Sequence, residues 1–207
     1  GARARTLDVP GREELSNIFT FRTVDDAIAL RPLLTPNAKV VLVGGGFIGL
    51  ELAACAARLG SQVTVLEAEP RLMSRVVPEI VANYVAQAHQ AHGVKLLLGT
   101  SIAKFLGTSS GVVSAVVCDD GTELEANVVV IGIGAIPNTE IAQAAGILCD
   151  NGILVDEYAR TSEVNVFAAG DVTNHYNTLL RRRIRLESWE NAEKQSLVAA
   201  RTMCQVD

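Results

Sequence analysis

Apolar residues along this chain come first in short continuous runs and then in alternating ones, and each rhythm predicts its own kind of structure. Lys39–Val43, Gln62–Glu67 and residues 94–98 are brief, β-branched or leucine-rich runs, as strands buried on both faces require. Between them, residues 48–59 form an alanine-rich stretch stopped by Gly60, and residues 78–91 show helical spacing. The order βαβαβ predicts a parallel sheet with right-handed crossovers. Ahead of it, residues 23–34 read as a helix with Thr23 as its cap, broken by Thr35-Pro36-Asn37.

From Ile102 onward the rhythm changes. Residues 102–105, 112–118 and 122–125 predict short antiparallel strands, the last two joined across Asp119-Asp120-Gly121. Val128–Ile131 then returns to a buried strand. The fold class is α/β of the doubly wound, Rossmann-like kind, a parallel sheet plus an antiparallel meander. No repeat or low-complexity stretch interrupts it.

Composition adds limits. The chain is 49% hydrophobic with a net charge of −5, which fits a globular protein and gives no reason to expect nucleic acid. No apolar run reaches the roughly 18 residues a membrane span needs, and no signal peptide opens the chain, so no membrane association and a cytoplasmic setting are expected. The start, Gly1-Ala2-Arg3-Ala4-Arg5, carries no initiator Met and points to a trimmed or processed product. Cys55, Cys118, Cys149 and Cys204 are scattered without CxxC spacing, which predicts buried, reduced thiols. His89 and His92 fall near a helix end, where solvated histidines are ordinary, and neither they nor His175 is spaced with a cysteine as a zinc site would be.

The chemistry concentrates in Gly44-Gly45-Gly46-Phe47-Ile48-Gly49. This is GxGxxG directly after a strand and directly before a helix. Gly44 serves the tight turn, Gly46 the approach of a pyrophosphate to the backbone, and Gly49 close helix–strand packing. The phosphates then meet the N–H groups and positive dipole end of the following helix. The second strand ends in Glu67, where a carboxylate accepts hydrogen bonds from the adenosine ribose and repels a 2′-phosphate. Both features predict NAD(H) as cofactor. Arg71 is the one nearby residue that argues for NADPH.

Longer segments resemble a known family. Val43 through Glu51 is similar to the NAD-binding signature of the two-dinucleotide flavoprotein reductases. Gly1 through Arg5, with Val9-Pro10-Gly11, resembles their crossover from the FAD domain, and Gly132-Ile133-Gly134-Ala135-Ile136-Pro137-Asn138 resembles the return. Thr161-Ser162 through Val172 resembles the motif whose aspartate, here Asp171, holds the FAD ribitol. Arg185-Leu186-Glu187-Ser188-Trp189-Glu190-Asn191-Ala192 resembles the segment under the flavin in oxygenase-type, putidaredoxin reductase-like ferredoxin reductases of the pyridine nucleotide-disulfide oxidoreductase superfamily.

That resemblance implies residues 1–9 and 135–207 as parts of an FAD-binding domain and residues 10–134 as the NAD-binding domain. It implies Gly44, Gly46, Phe47, Ile48, Gly49, Glu51, Glu67 and Gly134 at NAD, and Arg5, Asp171 and Trp189 at FAD. Glu51 would lie near the nicotinamide, and Trp189 at the electron exit. A solvated helix residue at Glu51 and a partly buried aromatic at a helix start for Trp189 are the plainer alternatives. The implied activity passes electrons from NADH through FAD to a ferredoxin-type iron–sulfur protein. Arg181-Arg182-Arg183 with Arg185 either steers that acidic partner or forms a solvated loop.

The family's N-terminal FAD loop and C-terminal domain have no counterpart here, which predicts a fragment with an incomplete FAD site. A second chain, including a homodimer mate, would then supply missing pairings. Two rival readings stay open: the disulfide-reductase or NADH-oxidase branch of the fold, and a non-catalytic NAD-binding module.

Overall fold

The computed structural model describes residues 1–205, so Val206 and Asp207, the end of the expected 135–207 segment, lie outside it. In chain order the strands are β1 (Ala2–Ala4), β2 (Ile18–Thr20), β3 (Lys39–Val43), β4 (Gln62–Glu67), β5 (Lys95–Leu98), β6 (Ile102–Gly107), β7 (Val113–Cys118), β8 (Glu123–Glu125), β9 (Val128–Ile131), β10 (Ala135–Pro137), β11 (Ile153–Val155), β12 (Thr173–Asn177) and β13 (Arg182–Ile184). The helices are α1 (Val24–Leu30), α2 (Phe47–Arg58), α3 (Glu79–Ala91), α4 (Glu140–Ala144) and α5 (Trp189–Cys204). The chain divides into two compact units, one of Ala4–Gly134 and one of Gly1–Arg3 with Ala135–Asp207.

In the Ala4–Gly134 unit, five strands pair in the order β2-β9-β3-β4-β5, every neighbour parallel. Alternation along the strands sends Val40, Leu42, Val65 and Val130 to one face, where Leu30, Ala53 and Ala56 of the helices meet them. Val41, Val43, Val129 and Ile131 point to the other face and pack on Phe105, Val113 and Val116. Those partners belong to the antiparallel meander β6-β7-β8. Helices therefore cover one face and the meander covers the second, where a sheet wound with helices on both sides would carry more of them. Two-sided burial explains why the strands read as unbroken apolar runs.

Local chemistry sets the ends of the elements. Thr23 caps α1 as its position predicts, in a full capping box: its hydroxyl accepts from the Asp26 N–H, and the Asp26 carboxylate accepts from the Thr23 N–H at 2.6 Å. That Thr23 N–H bond holds the Asp26 carboxyl below its ordinary pKa, against a smaller upward push from burial. The predicted helix over residues 23–34 is shorter, ending at Leu30 and giving way to a 3-10 turn at Arg31–Leu33. Pro32 is the cause, since it has no N–H to continue the α-helical ladder. Helix α2 starts at Phe47, one residue earlier than expected, because the extended Gly46 already serves as its cap. Val94 is buried just ahead of β5 rather than within it. The edge strand β2 has three residues, too few to show an alternation in sequence.

In the second unit, β1 and β10 form a two-stranded ribbon, while β12 pairs parallel with β11 and antiparallel with β13. Ser188 caps α5 by accepting the Asn191 N–H at 3.2 Å, and Thr202 near the other end donates to the Tyr158 carbonyl at 3.0 Å. The cysteines are all free, but only Cys118 is buried; Cys55 and Cys204 are exposed and Cys149 is half-buried. The expectation of four buried thiols fails because α2 and α5 each turn one face to solvent. His89 departs from the solvated reading as well: it is half-buried in the last turn of α3, and burial first, then the nearby His92, lower its pKa.

Ala53 is fully buried beneath the sheet, and its neighbour Ala54 is exposed on the same helix. Ala53→Leu is expected to lower stability by about 1–3 kcal/mol through overpacking, and Ala54→Leu by less than about 0.5 kcal/mol. Urea denaturation followed by far-ultraviolet circular dichroism checks the difference; equal midpoints would refute the packing account.

Candidate functional site

Strand β3 ends at Val43, and the chain must then turn within three residues to enter α2. Gly44 makes the turn at φ +108°, and a Cβ there would collide with the Gly132 carbonyl oxygen after β9. Gly49, in the first turn of α2, faces the Gly44 carbonyl so closely that a Cβ would collide with that oxygen too. Gly46 stands in open space, with nothing near the position of a Cβ. Two of the three motif glycines are therefore demanded by packing, while the third leaves clear backbone at the mouth of the turn. The cap residue Gly46 brings no side-chain hydrogen bond to the N-terminus of α2. Its first-turn N–H groups and positive dipole end thus suit an anion.

Glu67, the last residue of β4, turns its carboxylate toward this loop. One oxygen accepts the Gly45 N–H at 2.6 Å and the other accepts the Glu69 N–H at 2.8 Å. Two backbone donors orient the carboxylate, and each oxygen keeps a lone pair for a further donor. Glu51 lies exposed on the second turn of α2. Phe47 and Ile48, at the start of that helix, are 57% and 43% exposed, which leaves apolar surface open to a ligand beside the glycine turn. Gly134 lies on the connection between β9 and β10, at φ +105°, and its carbonyl accepts the Arg5 N–H at 2.9 Å. The Arg5 side chain is exposed.

Arg71 is not where an NADPH reading needs it. Its guanidinium is spent on backbone carbonyls: Ser74 at 2.7 Å, Val77 at 3.0 Å and Leu72 at 3.4 Å. Sequence reasoning also missed Gly45, which fills an unspecified position of GxGxxG. Its N–H goes to Glu67, its carbonyl accepts the Met73 N–H at 3.0 Å, and Leu72 packs against it. The signal was present only as a third consecutive glycine.

In the other unit, Asp171 is half-buried directly after Gly170 (φ +83°), in a turn braced from α5. Gln195 Oε1 accepts both the Gly170 N–H and the Thr173 hydroxyl at 2.8 Å. Trp189 begins that same helix and is 81% exposed, which overturns the partly buried packing alternative. The arginine cluster is neither wholly a steering patch nor a solvated loop. Arg183 donates to the Asn174 carbonyl at 2.9 Å, while Arg185 pairs with Glu187 and donates to the Ala135 carbonyl at 3.3 Å. Arg181 and Arg182 remain exposed.

A parallel sheet, a glycine turn between β3 and α2 and an acid closing the next strand define a dinucleotide-binding α/β protein. Comparison with known proteins narrows that class. Residues 1–196 match the family described as pyridine nucleotide-disulphide oxidoreductase, and the chain belongs to it. It is 44% identical over 207 residues, its whole length, to half of the anthranilate 1,2-dioxygenase system ferredoxin–NAD(+) reductase component of Burkholderia cepacia. It is 39% identical to putidaredoxin reductase of Pseudomonas putida, over 99% of this chain and 49% of that one. Among solved structures, the covalent putidaredoxin reductase–putidaredoxin complex matches all of this chain and 50% of its own, at 37% identity and a TM-score of 0.96. The chain thus spans about half the length of these relatives.

The glycines make a direct test of the turn. Gly49→Ala is expected to cost about 1–3 kcal/mol of stability, because the Gly44 carbonyl has no room to move. Gly46→Ala should cost less than about 1 kcal/mol, since it only worsens the cap. Thermal melts of the two variants showing the opposite order would disprove this assignment.

Proposed function

We propose that this chain is the NADH-binding portion of a cytoplasmic flavoprotein reductase that passes electrons from NADH through FAD to a ferredoxin-type iron–sulfur protein. The observation that carries the reading is the Glu67 carboxylate, fixed by two backbone N–H groups beside a glycine turn. The names of the relatives, a ferredoxin–NAD(+) reductase component and putidaredoxin reductase, support the same activity and partner.

The residues fit the two cofactors on structural grounds. Open backbone at Gly46 and the uncapped start of α2 suit a diphosphate, and Glu67 suits a pair of ribose hydroxyls. We assign Gly44, Gly46, Phe47, Ile48, Gly49, Glu51, Glu67 and Gly134 to NAD(H). Asp171 on its braced turn, the exposed Trp189 and Arg5 are assigned to FAD. Residues 10–134 are then the NAD-binding domain, with 1–9 and 135–207 belonging to the FAD-binding domain; the observed units divide slightly earlier, at Ala4.

When bound, the two cofactors supply hydride transfer and its division into single electrons. The chain supplies binding, orientation and charge. Gly44 and Gly49 let α2 approach so that its N-terminus faces the diphosphate. Glu67 holds the adenosine end and rejects a 2′-phosphate through like charge. Glu51, an exposed acid, places negative charge on the outer side of α2.

Selectivity for NADH over NADPH is expected to be on the order of 1–3 kcal/mol, the range of charged hydrogen bonds, and Glu67→Ala should narrow it. Calorimetric titration tests this, and equal affinities in the unsubstituted protein would defeat the assignment. For electron exit, Trp189→Ala in flavin-loaded protein should slow reduction of the iron–sulfur partner more than reduction of the flavin by NADH. Stopped-flow traces in the reverse order, or unchanged, would make Trp189 a bystander.

A further inference from the structure

Arg71 makes three hydrogen bonds inside one turn, and the turn it closes has no regular structure of its own. Residues 71–77 leave the end of β4 and return to α3, and their backbone is unfavourable at one point. Met73 lies in the left-handed region at φ +47°, where a residue with a Cβ is strained. Such a conformation persists only when its surroundings impose it. The guanidinium spans the turn on both sides of Met73: Nη2 donates to the Ser74 carbonyl, while Nη1 donates to the Val77 and Leu72 carbonyls. The planar fork of arginine reaches separated acceptors at once, which a lysine ammonium does less well.

The turn so formed lies directly against the glycine loop. Leu72 and Met73 are 1% and 6% exposed, and they share a small apolar cluster with Leu50 of α2. The Met73 N–H donates to the Gly45 carbonyl at 3.0 Å. Leu72 comes so near Gly45 that a Cβ there would stand 2.5 Å from its Cδ2 and 3.1 Å from Glu67 Oε2. Gly45 is thus held from two sides, by Glu67 at its N–H and by Met73 at its carbonyl.

We propose that Arg71 is a positioning residue for the dinucleotide site: it locks the strained 71–77 turn under Gly45, and through that turn sets the glycine loop and the Glu67 carboxylate in their binding geometry. The same three bonds withdraw Arg71 from phosphate recognition, so the choice between NADH and NADPH rests on Glu67. The inference deepens the proposed nucleotide function and relies on it only for the binding readout.

Calorimetric titrations with NADH and with NADPH, on the unsubstituted chain, Arg71→Met and Arg71→Lys, test the inference together with the amide resonance of Gly45. Losing the charged donor is expected to weaken both dinucleotides by a common factor of about ten in Arg71→Met, leaving their ratio unchanged, since the turn beneath Gly45 loses the hydrogen bonds that close it. Arg71→Lys should recover part of that loss, and it carries the comparison if Arg71→Met does not fold. The Gly45 amide should shift in both variants without nucleotide. A loss confined to NADPH would show Arg71 to be a phosphate ligand and overturn the proposal, as would unchanged affinities. If the unsubstituted chain binds neither dinucleotide, the proposed function falls, and the Gly45 amide alone decides: a shift upholds the positioning role, and an unmoved resonance ends it.

Discussion

Everything at the nucleotide loop depends on there being no side-chain atom between α2 and the turn that precedes it. The Gly49 Cα meets the Gly44 carbonyl, and Gly44 in turn backs onto the Gly132 carbonyl after β9. Three stretches of backbone therefore touch directly at the carboxyl ends of neighbouring parallel strands β3 and β9. A site made from main chain inherits the rigidity of the sheet and presents dipoles that need no reorganisation. It also leaves little tolerance, because the distances are set by backbone that cannot choose another rotamer.

Electrostatic balance follows from that geometry. The positive end of α2 and the Glu67 carboxylate sit on either side of Gly45, whose N–H donates to that carboxylate at 2.6 Å. The carboxylate is held by two backbone N–H groups, which leaves its outer lone pairs available. Arg71, the cation nearest in sequence, is folded into its own turn. Charge at the site is decided by what the backbone donates, more than by ion pairs.

Much of this was legible in sequence, and the reasons differ by element. Lys39–Val43, Gln62–Glu67 and Val128–Ile131 coincide with their strands because burial on both faces keeps their interiors mostly apolar, with Lys39, Gln62 and Glu67 marking ends. The hairpin at Asp119-Asp120-Gly121 was readable from turn chemistry, with Gly121 at φ +85°. Helix α1 ran too long in the reading, since its apolar spacing continues past Pro32 into the 3-10 turn. Small strands such as β2 and β11 were invisible, for three residues carry no period. At the site, the motif glycines and Glu67 announced themselves, whereas Gly45, Leu72 and Arg71 did not. Their roles arise from contacts across the β4–α3 connection, and a motif records neighbours in sequence, not across a turn.

The ribbon of β1 and β10 has a consequence for how the molecule is made. One unit takes its residues from Gly1–Arg3 and from Ala135 onward, so the Ala4–Gly134 unit is an insertion within it. During synthesis at about 5–20 residues per second, the inserted unit emerges whole while β1 still lacks its partner strand. The ribosome thus delivers the five-stranded parallel sheet before β10 can pair with β1. The β1–β10 ribbon closes only when β10 arrives, so the unit that holds the earlier strand β1 is completed after the unit inserted within it.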